Sequence, residues 1–419
     1  MRGKDKQDKL RVVDVCAYFT YPWRSGGQKR VHCMNKALSR HVVVEQFSFT
    51  PVFMRRKTLR HTPGYTEHIM NRLVYTKAVI LLKLISITHY DFIIPLAFSF
   101  IPMPKSLKLA MAEADVIQVE HPWLLSWAKR HAPKGKPIVL VSHNVELRLQ
   151  ERFFEGKPFR DSIVKSIMKT EQEAVKSADS VIALSDGDRK TLSALYGARL
   201  DKIVTIENGA GEDTKPKLSK AEARRRLGLS QEKEMRRGLP IALFIGSEHP
   251  PNDEAVRFIE EELAPKMKDV LFLIVGGVRP KGTSKSAGAC GNVMCTGKVE
   301  DLSIPCAAAD LAINPVTSGS GASLKMFSYL SVGLPVISTR MGARGLPQEA
   351  KSLLVQSSRG GLEGFGKNII RLINNPALRR SLGQRGGIVA RKHSWGVAAK
   401  KAQSIYCDLR CSALSRARE

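Results

Sequence analysis

Two runs of apolar strand and amphipathic helix, separated by a polar stretch without a strand, predict an α/β protein made of two Rossmann-like domains facing across a cleft. The first run places strands over 10–18, 42–49, 115–119, 137–142, 180–184 and 202–207. The second places them over 241–245, 270–275, 292–296, 311–314 and 334–338. Most of these strands end in glycine or polar residues, where open α/β sheets present ligand groups. At 419 residues and 43% hydrophobic content the chain is long and apolar enough for two cores. The expected boundaries are a first domain over 1–211, a linker and lead-in over 212–238, a second domain over 239–395, and a terminal helix over 396–419 packed across the domain junction.

Strand 10–18 is followed by TYPWRSGGQKR and a helix over 28–40. Gly26 and Gly27 let a substrate lie against the backbone there, and Arg24, Lys29 and Arg30 make that mouth positive. After strand 42–49 the region 54–105 is less regular. Arg55, Arg56, Lys57, Arg60, Arg72 and Lys77 lead into AVILLKLIS and FIIPLAFSFIPMP, interrupted by Lys83, His89, Asp91 and Pro95. That falls short of the ~20 clean residues of a bilayer span and suits a helix lying on a membrane interface, or a buried domain helix. Strand 115–119 ends at Glu120, His121 and Pro122; strand 137–142 ends at His143, Asn144 and Glu146. Strand 180–184 leads into SDGDRKTL, whose Asp186 and Asp188 resemble a metal pair but fit the first turn of a helix capped by Ser185. Asn208 to Gly211 closes the last strand, and 212–238 carries one short basic helix, AEARRRLGL.

In the second half, strand 241–245 ends at Gly246 and Ser247 before HPPNDEAVRFIEEELAP, a helix introduced by prolines and Asn252. Strand 270–275 ends at Gly276 and Gly277. The stretch 314–339, NPVTSGSGASLKMFSYLSVGLPVIST, joins a serine- and glycine-rich turn to a helix of roughly three turns, then to Gly333 and a strand. Gly319 and Gly321 admit close approach of backbone amides, while Ser318, Ser320 and Ser323 are placed to cap the helix. Leu324, Phe327 and Leu330 recur at helical spacing, and Gly333 supplies a left-handed stop. Helix amides with Lys325 in the first turn read as an anion site, the shape of a seat for a diphosphate, or as an ordinary loop-helix-strand joint of an α/β domain.

The formal charge of +28 calls for an anionic partner. The basic residues do not interleave with exposed aromatics and no nucleic-acid motif is present, which argues against a nucleic-acid partner and leaves an anionic membrane surface or a solvated basic surface with no specific role. No apolar leader follows MRGKDKQDKLR. Seven cysteines without a C-x-x-C pair read as reduced thiols in a cytoplasmic protein, and the pairs Cys290 with Cys295 and Cys407 with Cys411 lack zinc-knuckle spacing, so no metal site is expected.

In their order and spacing, YPWRSGGQKR, SHNVE, ADSVIALSDGDRKTL, VTIENGAG, LFIGSEHPPNDEAV, GKVEDL, GSGASLKMFSYLSVGLPVISTRMGARGL and HSW resemble the group-1 (family 4) glycosyltransferases of the GT-B type over nearly the full chain. The resemblance implies retaining transfer of a sugar from a nucleotide diphosphate sugar, with neither an essential metal nor another cofactor. It implies that the loop at Gly26 and Gly27 faces the reaction centre, that Glu120 and His121 lie near the transferred sugar, and that Gly246 and Ser247 belong to the donor side; by their places at strand ends, His143 is a further candidate catalytic contact and Gly276 a further candidate donor contact. Ser320, Gly321, Ser323, Leu324 and Lys325 would hold the diphosphate. Many members carry two glutamates where this chain has Ser320 and Ser328, and the second receives the ribose hydroxyls, leaving Ser328 as an uncharged substitute. The arginine and lysine common after the Gly246 loop give way to His249, Pro250 and Asn252. The expected protein is a cytoplasmic, peripheral membrane hexosyltransferase that extends a cell-surface or lipid-linked glycan. The alternatives are a nucleotide-sugar epimerase, which needs an acid and a base carboxylate, and a basic binding protein that has lost the donor site.

Overall fold

The computed structural model describes residues 9–23, 25–50, 56–71, 102–157, 159–211, 218–229, 238–278, 291–319, 321–356 and 364–416. Arg24, Ser320 and the apolar segment 72–101 expected at a membrane interface lie outside them. The chain forms two compact units, Met1–Glu207 with Trp395–Glu419, and Asn208–Ser394.

The first unit is built on β1 (Arg11–Cys16), β2 (Val43–Thr50), β3 (Lys57–Thr62), β4 (Tyr65–Asn71), β5 (Val116–Glu120), β6 (Ile138–Ser142), β7 (Ser180–Ala183) and β8 (Ile203–Thr205). Their order is β3-β4-β2-β1-β5-β6-β7-β8, parallel except for the β3–β4 hairpin. All five residues of β5 and of β6 are buried, as expected of parallel strands covered on both faces. The helices used below are α1 (Gly26–Leu38), α2 (Leu125–His131), α3 (Glu146–Phe153) and α4 (Arg160–Ser177). The Ser185 hydroxyl accepts from the Asp188 amide at the head of the next helix, and Asp186 and Asp188 sit in its first turn.

The hairpin corrects the expectation of an irregular region after residue 54. β3 is an edge strand of half-exposed polar residues, and β4 turns a carboxylate, Glu67, to the buried side. Thr20 N–H, the Ser48 hydroxyl and the Gln46 amide donate to Glu67, and His61 Nε2 lies 3.1 Å from it. A strand whose inward positions include a satisfied carboxylate carries no apolar alternation to read.

The second unit holds α5 (Lys220–Arg226), β9 (Ile241–Ile245), α6 (Pro250–Phe258), β10 (Leu271–Val275), β11 (Val293–Gly297), β12 (Leu311–Asn314), α7 (Leu324–Ser331), β13 (Val336–Ser338) and β14 (Val355–Gln356). The strands run in parallel in the order β11-β10-β9-β12-β13-β14. Ala223 of α5 and Leu229 beyond it, in the stretch expected as linker and domain entry, are buried in this unit's core. The terminal helix α8 (Trp395–Arg416) buries Trp395, Ala398, Ala399, Ala402 and Tyr406 in the first unit. No helix among the described residues is long and apolar enough to cross a membrane.

Candidate functional site

In the second unit the loop after β12 turns through Gly319 at φ +105° and Gly321 at φ +70°, conformations that glycine adopts without strain. It then enters α7. That helix has eight residues rather than three turns, and Ser323 occupies its N-cap with no side-chain bond to the helix. Ser318 does not cap it either, because its hydroxyl donates to Glu254 at 2.8 Å. The capping expected of these serines is therefore absent at Ser318 and Ser323, and the leading amides of α7 have no side-chain oxygen from them across their path. Phe327, Leu330, Met326 and Tyr329 are buried and Leu324 half-buried, so the apolar stripe is wider than the expected three positions. Gly333, at φ +74°, ends the helix as expected.

Lys325, in the first turn of α7, donates to the Asn252 side-chain oxygen at 2.8 Å and lies 4.2 Å from the centre of the Phe244 ring. Burial pushes its ammonium down to about 7. A neutral amide and a ring face offset only part of the desolvation of a charge, so an arriving anion would restore the proton. Asn252 is held in turn by its donation to the Ser247 carbonyl at 2.9 Å. Arg344 adds a second cation that the sequence reading missed. Its guanidinium donates to the carbonyls of Gly319 (2.6 Å) and Gly321 (2.7 Å), engaging oxygens that would otherwise repel an anion. Added Cβ atoms at Gly342 and Gly345 would come within 2.6 Å of Ser338 and 2.3 Å of Ala322, so these glycines let the Arg344 turn press onto the loop. The glycines flanking an arginine in MGARGL were the available signal. Together these groups line a pocket of about 110 Å³ with His249, Pro251, Asn252, Asn314 and Val316.

Gly246 and Gly276 are explained by each other. The β9–β10 register sets Ile245 beside Val275, Gly276 has φ +117°, and its added Cβ would stand 2.0 Å from the Gly246 carbonyl oxygen. Close strand packing requires glycine there whether or not a donor binds. Ser328 is half-buried within α7 and its carbonyl accepts from Ser331.

In the first unit the β5–β6 register brings Glu120, His121 and His143 together. His143 Nε2 bonds to Glu120, whose other oxygen accepts from Gln118 at 2.7 Å; Gln118 is bonded in turn by the Tyr406 hydroxyl. Burial and the neighbouring His121 push His143 down to about 4, so it is a neutral imidazole donating to a carboxylate. His121 stacks on His143 at 4.2 Å with its planes 16° apart, at a backbone φ of +69° that only surrounding contacts sustain. Its ring nitrogens meet the Tyr18 hydroxyl at 2.8 Å and Glu146 at 3.4 Å. Burial pushes the Glu146 carboxyl up, but bonds from His121 and Asn144 outweigh it and hold it below its ordinary value. Glu171 of α4 accepts the amides of Glu146 and Leu147 at the head of α3 and the Tyr196 hydroxyl, and burial beside Glu146 pushes it up to about 7. Buried Arg30 donates to the carbonyls of Ile206 and Glu207; burial lowers it to about 10, against the field of Glu120.

Gly26 and Gly27 open α1 behind a Ser25–Gln28 capping box, and an added Cβ at Gly27 would meet the Tyr18 hydroxyl at 3.2 Å. Gly27, Tyr18 and His121 are thus one neighbourhood. The sequence reading named Gly27 and His121 and missed Tyr18 and Glu171, which sit in a strand-exit turn and mid-helix with no motif around them.

Two family descriptions match the chain: "Glycosyltransferase Family 4" over residues 62–213 and "Glycosyl transferases group 1" over residues 239–375. A D-inositol 3-phosphate glycosyltransferase of Kineococcus radiotolerans is 24% identical over 267 residues; the match spans 56% of this chain and little more than half, 58%, of that relative. Among solved structures, sucrose-phosphate synthase from Thermosynechococcus elongatus superposes with a TM-score of 0.68 at 16% identity, covering 96% of this chain and 100% of the other. Anabaena HepE in complex with UDP does so at 0.62 and 14% identity, covering 95% and 100%. At these identities the structural likeness speaks for the shared GT-B fold alone.

Proposed function

The chain belongs to the group-1, family 4 glycosyltransferases, and from that premise we propose that it transfers a hexosyl group from a nucleoside diphosphate sugar to a glycan or lipid-linked acceptor with retention at the anomeric carbon. The observation that carries this reading is the anion seat of the second unit: two left-handed glycines, the amide end of α7, Arg344 on the loop carbonyls, and a lysine whose desolvation an anion would relieve. The UDP in the HepE complex supports a nucleotide as occupant.

In the proposed reaction the acceptor oxygen attacks the anomeric carbon while the carbon–oxygen bond to the diphosphate breaks. The leaving phosphate oxygen, on the same face, takes the acceptor proton. Charge grows on the diphosphate, and Lys325 with the α7 amides answers it, the role a divalent ion has in other transferases. We therefore assign no metal or other cofactor. The strand-end cluster of the first unit, Glu120, His121 and His143 with Tyr18, would fix the sugar hydroxyls rather than titrate, since neutral His143 is locked to Glu120. The cation excess supports work on the inner face of an anionic membrane.

The reading is tested by incubating the full chain with radiolabelled nucleotide sugars and a detergent extract of bacterial membranes, without divalent ions. Label appearing in a lipid or glycan fraction, with release of nucleoside diphosphate, is expected. Release unchanged by the extract, or product that is only an epimer of the donor sugar, would contradict it.

A further inference from the structure

Helix α4 has an outer face that its packing does not explain. Its buried side, Ile163, Ile167, Glu171, Ala174 and Val175, faces the core. On the opposite side Lys165, Lys169 and Lys176 fall within about 40° of one another at about 100° per residue. All three are exposed, and none enters an ion pair among the described residues. Arg130 at the end of α2 adds an exposed cation beside the last turns of α4, across a groove it shares with Lys129, Lys176 and the exposed Glu173, a single carboxylate that leaves the face net cationic. Apolar groups accompany this row. Met168 is 42% exposed next to the lysines, and Phe159, at the head of the helix, is 81% exposed. Phe159 also stands at φ +60°, a left-handed conformation that disfavours any residue with a Cβ. Glycine would sit there at lower cost, and burial cannot be the reason for an aromatic.

We propose that the outer face of α4, with Phe159 at its head, docks on an anionic lipid bilayer. Unpaired lysines in one row match a negative surface, and a phenylalanine and a methionine beside them match the acyl boundary beneath it. A nucleic-acid groove would use the same cations but would leave Phe159 and Met168 without a role. The inference rests on the reading that the protein works at a membrane, and it supplies a contact surface independent of segment 72–101.

The test is co-sedimentation of the full chain with vesicles of phosphatidylcholine containing 30% phosphatidylglycerol, and with pure phosphatidylcholine. Wild type is expected to bind the anionic vesicles in a salt-dependent manner. The triple variant Lys165→Gln, Lys169→Gln, Lys176→Gln should lose about a hundredfold in partitioning, at roughly fivefold per lysine. Phe159→Gly should weaken binding without lowering the thermal midpoint, whereas a merely structural phenylalanine would lower the midpoint and leave binding alone. In Phe159→Trp the emission should shift to the blue and be quenched by brominated lipid. If wild type binds but none of these variants differs from it, this surface is wrong and the membrane reading survives. If wild type binds neither vesicle, both fail. Binding of duplex DNA through the same three lysines, with no lipid binding, would overturn the choice of partner.

Discussion

At the strand ends of the first unit the charged groups hold one another. Glu120 takes bonds from His143 and Gln118, His121 lies between Tyr18 and Glu146, and Arg30 spends its donors on two carbonyls. At the strand ends of the second unit Lys325 meets a neutral amide oxygen and a ring face. The first arrangement is a satisfied polar network that fixes side-chain positions whether or not a ligand is present. The second leaves a cation incompletely compensated, a cost in the ligand-free protein that a bound anion repays. Rigid recognition of hydroxyls suits the first, and neutralisation of a leaving diphosphate suits the second.

The sharpest way to break the contrast is to exchange its outcomes. Lys325→Ala should weaken binding of a nucleoside diphosphate by about a hundredfold, the value of one charge-assisted bond to phosphate, with a thermal midpoint that does not fall, because the desolvation cost of the buried ammonium goes with it. Titration calorimetry and a melt on the same sample check both halves. Glu120→Ala should behave in the reverse sense. It should cost about 3 kcal/mol of stability, because His143 and Gln118 lose a buried acceptor, while affinity for the free diphosphate stays within about twofold. Chemical denaturation and the same titration would show it.

A smaller effect follows from pH. Lys325 in the ligand-free protein sits at about 7, below its ordinary value, so above pH 7 it must take up a proton to bind an anion. Diphosphate affinity should then fall by up to about tenfold per unit between pH 7.5 and 9. Lys325→Arg, charged throughout, should flatten that slope. The same displacement sets a stability term of opposite sense: the unfolded chain holds the proton between pH 7 and the ordinary lysine value, so the ligand-free protein gains stability as pH rises through that window. Smallest is Ser328→Glu, which supplies the carboxylate many family members offer to the ribose and should tighten nucleotide binding about fivefold, read by the same calorimetry.

Much of this architecture was legible in the sequence because parallel strands buried on both faces write themselves as apolar runs ending in glycine or polar groups. Every strand expected from such a run is present. The β3–β4 hairpin was not legible, since its buried side includes Glu67 and its outer side faces solvent with Lys57, Thr58 and Arg60. The glycine turn at Gly319 and Gly321 and the helix start at Lys325, on which the proposed anion seat rests, were legible, but not the other groups around them. Ser323 looks like a helix cap in sequence and is not one in space, while Arg344 reaches the loop from 23 residues beyond Gly321. In the first unit Glu120, His121 and His143 were identified separately by their places at strand ends. Their pairing, and the support from Tyr18, Glu146 and Glu171, depends on register and on contacts between helices that no local pattern encodes.

The central claim is that Gly319, Gly321, Lys325 and Arg344 form a seat for the diphosphate of a nucleotide. It is tested most directly by calorimetric titration of the full chain with UDP, GDP and ADP in metal-free buffer at pH 7, alongside Lys325→Ala. Binding of one nucleotide in the micromolar range, with proton uptake that grows from pH 7 to 8.5 and vanishes in the variant, is the predicted result. Equal affinity in wild type and variant, or no heat from any nucleotide at millimolar concentration, would contradict it.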